Sequence, residues 1–140
     1  MTPTAISLLE LNLRVKEWVK NALSVPIWVH AEINELHENA NGICYLELVE
    51  KGDNDFIVAK QKAIIWATNY RLLKPYFESV TQITLQEGIK ISVLCRVEFH
   101  ELYGMSLVIT DIDPTYTLGD VALRKQMIIE RLMSDGVWDM

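Results

Sequence analysis

The spacing of hydrophobic positions changes repeatedly along the chain, and glycine or proline stands at most of the changes. Leu8, Leu11, Val15, Trp18, Val19 and Ala22 recur at helical spacing. They follow Ser7-Leu8-Leu9-Glu10, the spacing of a capping box in which Ser and Glu satisfy each other's free backbone donors. A helix is therefore predicted over 7–23, ending before Pro26. Past Pro26 the period becomes two. Ile27, Val29, Ala31 and Ile33 alternate with Trp28, His30, Glu32 and Asn34, the pattern of a half-buried strand. The polar stretch Glu35–Gly42 reads as a loop. Over 43–50, Cys44, Leu46 and Leu48 share one face and Ile43, Tyr45 and Glu47 the other. Lys51-Gly52-Asp53-Asn54 is a turn signal, and 56–67, rich in β-branched and aromatic types, reads as a third strand.

From Thr68 to Leu85 the pattern is irregular, and with Pro75 as a breaker only a short helix around Pro75–Gln82 is predicted. Gly88 restarts alternation, with Ile89, Ile91, Val93, Cys95 and Val97 on one face. Glu101-Leu102-Tyr103-Gly104 is a hairpin turn, Met105–Ile112 the returning strand, and Leu118–Ser134 a helix with Gly136 suited to a left-handed cap. The predicted fold is mainly β: a five-stranded OB-fold barrel with an N-terminal helix, a short helix between strands three and four, and a C-terminal helix. An SH3-like barrel also takes five short strands but usually lacks room for the excursion between the third and fourth. The expected layout is a helix over 1–25 packed on the barrel, the barrel over 26–115, and a linker helix over 116–140 leading towards a following region.

Composition narrows the classes. A chain of 140 residues suggests one domain, and 50% hydrophobic with 23% charged residues is an ordinary globular mix. No apolar run approaches the ~18 residues of a membrane span, and no basic segment followed by an apolar core opens the chain. Cys44 and Cys95 lie in apolar runs without a CxxC partner and read as buried free thiols of a cytoplasmic protein. The net charge of −6 argues against nucleic-acid binding over the whole surface, though not over a local patch. Nucleophile-elbow, phosphate-loop, zinc-helix and dinucleotide motifs are all missing. His30, His37 and His100 lack ligand spacing, and the pairs Asp53/Asp55 and Asp111/Asp113 read more simply as solvated carboxylates at strand ends than as a cation site. No catalytic residue, metal or cofactor is assigned to these residues.

One stretch departs from the acidic background. Phe56–Phe77 carries Lys60, Lys62, Arg71 and Lys74 and no acidic residue. Lys60, Lys62 and Trp66 share one parity, and Tyr45 is the outward aromatic of the second strand. Interleaved cations and rings are what single-stranded nucleic acid needs: charge follows the backbone and rings stack on bases. The candidate nucleic-acid-binding residues are Tyr45, Lys60, Lys62, Trp66, Arg71, Arg96 and Tyr103. Trp66 fits a packed core equally well, and a charge run is often only a solvated face.

Several short runs resemble the N-terminal domain of the bacterial exonuclease VII large subunit. Trp28-Val29-His30-Ala31-Glu32-Ile33-Asn34 resembles its opening strand, and Asn41-Gly42-Ile43-Cys44-Tyr45-Leu46-Glu47-Leu48 its second. Ala63-Ile64-Ile65-Trp66, Leu102-Tyr103-Gly104 and the closing Leu132-Met133-Ser134-Asp135-Gly136-Val137-Trp138-Asp139 are similar to later segments, in the same order. The family's histidine after the glycine of the second strand is Ile43 here, which removes a phosphate or base contact. The resemblance implies an OB-fold that grips single-stranded DNA for a nuclease degrading it to oligonucleotides. It also implies a small-subunit partner bound through a region these residues lack, and leaves a divalent cation to the nuclease region. A protein-docking OB-fold, holding a partner subunit or the catalytic region, is the competing reading, and the acidic balance favours it.

Overall fold

A computed structural model describes residues 3–134. In chain order the elements are α1 (Leu8–Ala22), β1 (Ile27–Glu38), β2 (Cys44–Lys51), β3 (Ile57–Ile65), α2 (Ala67–Thr81), β4 (Lys90–His100), β5 (Gly104–Ile112) and α3 (Pro114–Ser134). The strands close into a barrel in the order β1-β2-β3-β5-β4, an OB-fold. β1 bridges two neighbours. Its first half pairs with β4, Ile27 opposite Cys95 through Glu32 opposite Lys90. Its second half pairs with β2, ending at Glu38 opposite Cys44.

The first half of the expected loop over Glu35–Gly42 is therefore strand, up to Glu38, and only 39–42 form the connection to β2. A bulge between Ile33 and Glu35 inserts one extra residue, so inward positions shift from Ile33 to Leu36. A strict alternation of two cannot be followed across such an insertion, and the polar run then imitates a loop. The extra residue, Asn34, donates from Nδ2 to Glu47 Oε1 at 2.8 Å.

The helix between β3 and β4 is also longer than the sequence suggests. It spans fifteen residues, Ala67–Thr81, with Pro75 inside it. Tyr70, Phe77 and Thr81 are buried and Leu73 packs against the core. These positions recur every three or four residues, and burial of that stripe over one end of the barrel outweighs the hydrogen bond lost at Pro75. α3 likewise begins a turn before the expected Leu118. Asp113 Oδ1 accepts the Thr115 N–H at 3.0 Å and Pro114 occupies the first helical position, where its missing N–H costs nothing. Gly136, the expected cap at the far end, lies outside the described residues. At α1, Ser7 Oγ accepts the Glu10 N–H at 3.0 Å, while the Glu10 carboxylate turns forward to Arg14 instead of closing the box.

Alternation on the strands supplies the core. Leu46, Leu48, Ala63, Ile65, Ile91, Val93, Leu107 and Ile109 point into the barrel with Cys44 and Cys95, both of which are free thiols. Burial pushes each thiol up to about 11, so neither is a thiolate near neutral pH.

At the mouth under α2, the Tyr70 hydroxyl donates to Glu38 Oε1, and Lys74 Nζ lies 3.1 Å from the same oxygen. The Tyr70 bond first, then Lys74, hold the Glu38 carboxyl below its ordinary value of 4.5. A depressed carboxyl stabilises the fold above its unfolded pKa and loses that contribution as pH falls through the folded one. Tyr70→Phe is expected to be less stable by a constant margin above about pH 5, a margin that narrows on further acidification. Urea unfolding across a pH series checks this; a margin independent of pH would show that the Tyr70 hydroxyl does not act through the ionised Glu38 carboxylate.

Candidate nucleic-acid interface

Because Leu46, Ala63, Cys95 and Leu107 face inward, their neighbours must face out. The registers place four of these outward residues in one row across the barrel. Tyr45 lies opposite Ile64, Ile64 opposite Val108, and Val108 opposite Arg96. β3 and β5 meet in parallel through only Ala63–Leu107 and Ile64–Val108. Beside that short seam, Gln61 Nε2 donates to the Met105 carbonyl at 2.8 Å and joins the strands where backbone pairing ends.

A groove of about 880 Å³ runs over this row. Val108 and Ile64 form its floor, and Tyr45, Trp66, Tyr103 and Phe99 supply rings around it. Its cations are Lys62 on β3, Arg96 on β4, and Lys16 and Lys20 on α1. Arg96 is loosely paired with Glu98 at 3.7 Å and Lys16 with Glu101 at 3.1 Å. Lys20 and Lys62 make no ion pair among the described residues. Lys62 stands opposite Glu47, but Glu47 Oε1 accepts from Asn34.

The β4–β5 turn is built to hold one of the rings. His100 Nδ1 accepts the N–H groups of Leu102 and Tyr103 at 3.0 and 3.3 Å. Its ring stacks on Tyr103, centroids 4.8 Å apart. Gly104, at φ +80°, returns the chain into β5 in a conformation that other residues rarely adopt. Tyr103 is 81% exposed, so only this stack and the turn define its position.

Five of the seven residues singled out from sequence line the groove: Tyr45, Lys62, Trp66, Arg96 and Tyr103. Trp66 is 48% exposed at the N-cap of α2, a surface residue rather than part of the core. Lys60 and Arg71 are exposed outside the groove, Lys60 opposite Val49 towards the β2–β3 turn and Arg71 on α2. Lys74 is taken up by Glu38. The basic stretch is thus continuous in sequence but dispersed in space. Sequence reading missed Lys16, Lys20, Phe99 and His100. The two lysines do carry a signal, an i, i+4 pair on one helix face, but only the docking of α1 on the barrel brings it to the groove. Asp113, considered for a cation, caps α3.

The groove can stack bases and neutralise phosphates. Among the described residues, no group of three or more His, Cys, Asp or Glu side chains is arranged to hold a metal ion.

The chain belongs to the family of OB-fold nucleic acid binding domains, whose profile matches residues 6–113. Within that class it is 35% identical over 136 residues to the exodeoxyribonuclease 7 large subunit of Deinococcus radiodurans. That match takes in 94% of this chain and 32% of the relative, so the chain spans about a third of the relative's length. Among solved structures, a small single-stranded DNA binding protein from Mycoplasma pneumoniae aligns with a TM-score of 0.43 and 9% identity, over 64% of this chain and 91% of that one. A mitochondrial single-stranded DNA binding protein from S. cerevisiae gives 0.40 and 15%, over 63% and 89%. No helix among the described residues is long and apolar enough to cross a membrane.

Proposed function

We propose that this chain is the single-stranded DNA-gripping domain of an exodeoxyribonuclease VII large subunit, holding the strand for a nuclease centre located outside these residues. The observation that carries the reading is the outer-face groove, where Tyr45, Trp66 and Tyr103 offer stacking surfaces beside Lys62 and Arg96. Membership of a nucleic-acid-binding family and the likeness to a large subunit over nearly the whole chain support it. Exposed base faces are available only in a single strand; a duplex offers phosphates but keeps its bases stacked on each other. The whole enzyme's degradation of DNA to oligonucleotides, any divalent cation it uses, its small subunit and a cytoplasmic setting belong to the same proposal.

Lys62 has the character of a phosphate contact, which positions the strand without reading it. Lys62→Glu is expected to weaken binding to oligo-dT, oligo-dA and mixed single strands by the same factor, measured by fluorescence titration. A loss confined to one sequence would assign Lys62 to base recognition instead. Protein docking is favoured by a different observation. α3 leaves Val121, Leu123, Met127, Ile128 and Ile129 substantially exposed beyond its packed first turns. None of these residues lines the groove, so the two readings concern different surfaces of one domain.

A further inference from the structure

α1 contributes more to the groove than structural support. It has no buried residue, yet Val15 and Val19 are half-buried as the helix crosses β4. Its attachment centres on Glu101 of the β4–β5 turn, whose carbonyl accepts from Asn12 Nδ2 at 2.9 Å and whose carboxylate pairs with Lys16. This mooring turns Lys16 and Lys20, one helical turn apart, into the groove beside Arg96. Three of the groove's four cations therefore stand along the α1 and β4 side, where Phe99 and Tyr103 also lie, while Tyr45 and Trp66 stand along the β2 and α2 side with Lys62 on β3. A bound single strand carries charge on one flank and aromatic bases on the other, so the side with most of the cations is the one suited to its phosphates.

We infer that α1 is the phosphate-holding wall of the groove, with Lys20 and Lys16 meeting the backbone of a single strand whose bases point towards Tyr45 and Trp66. The inference rests on the single-stranded DNA reading above. Lys20, unpaired among the described residues, is the ready partner for a phosphate. Lys16 must be drawn from Glu101, whose carboxyl is held low by its own backbone N–H and then by Lys16. Glu101 is thus a competitor that an arriving phosphate has to displace, and the backbone bond to Asn12 keeps α1 moored while Lys16 changes partner.

The test is titration of the full chain and of Lys20→Gln, Lys16→Gln and their combination with oligo-dT over a range of salt. Each phosphate deprived of its lysine should make the slope of log affinity against log salt shallower by about 0.7, so the double variant should differ from the unaltered chain by about 1.4. Glu101→Gln should bind more tightly than the unaltered chain at low salt, because it releases Lys16 while leaving the Asn12 bond. If Glu101 served only to fasten the helix, that variant would bind no better or worse. The inference is overturned if the double variant, folded by circular dichroism, keeps the original slope and affinity while Lys62→Glu is weakened. In that case the groove binds DNA without α1. An unaltered chain that does not bind oligo-dT at all overturns this inference and the proposed function together.

Discussion

Phe77→Ala is expected to lower the free energy of unfolding by about 3–5 kcal/mol, the range for truncating a fully buried phenylalanine. Phe77 has no exposed surface and packs with Tyr70 and Leu85 into the barrel core. Truncation removes the ring's transfer free energy and leaves a void that a closed five-stranded barrel has little freedom to collapse into. Against the roughly 5–15 kcal/mol typical of a domain, that loss is large. The check is urea unfolding, where the midpoint should fall with the slope unchanged. α2 also carries the groove residue Trp66 at its N-cap, so the same variant separates folding from binding. At temperatures where it remains folded, its affinity for oligo-dT should stay close to that of the unaltered chain, since Phe77 lines no part of the groove. A stability change below about 1 kcal/mol would mean that α2 does not seal the barrel as described.

Tyr45→Ala should show the opposite profile. Tyr45 is 43% exposed at the end of the outer-face row, so its removal should alter stability little. If one base stacks on its ring, binding should weaken by ~1–3 kcal/mol, roughly fivefold to over a hundredfold in affinity. Tyr45→Phe keeps the aromatic face and should retain most of the binding, which distinguishes stacking from a hydrogen bond to the hydroxyl. Equal affinity of Tyr45→Ala and the unaltered chain would remove β2 from the interface.

The parts of this structure that were legible in the sequence are those governed by local periodicity. Strict alternation gave the inward and outward faces of β2, β3 and β4, and with them Tyr45, Lys62 and Arg96. Where local rules conflicted with packing, the reading failed. Asn34 breaks the alternation of β1 with a single inserted residue, and Pro75 counts as a helix breaker until the burial of Tyr70, Leu73 and Phe77 is known. The basic stretch misled for a related reason. Strand and helix geometry send Lys60, Lys62, Arg71 and Lys74 to different surroundings, and only Lys62 reaches the groove. The contribution of α1 depends wholly on tertiary docking. Nothing near Lys16 or Lys20 in sequence reveals that Glu101, 85 residues away from Lys16, holds the helix against the groove.

The most direct test of a single-stranded DNA grip on this face is a fluorescence titration of the full chain with oligo-dT at increasing salt, with Trp66→Phe as the control. The groove predicts saturable quenching that Trp66→Phe largely removes. It also predicts a log–log salt slope between about −1.4, for Lys62 and Arg96 alone, and about −2.8, with Lys16 and Lys20 added. Absence of saturable quenching, or binding indifferent to both salt and the loss of Trp66, would contradict it.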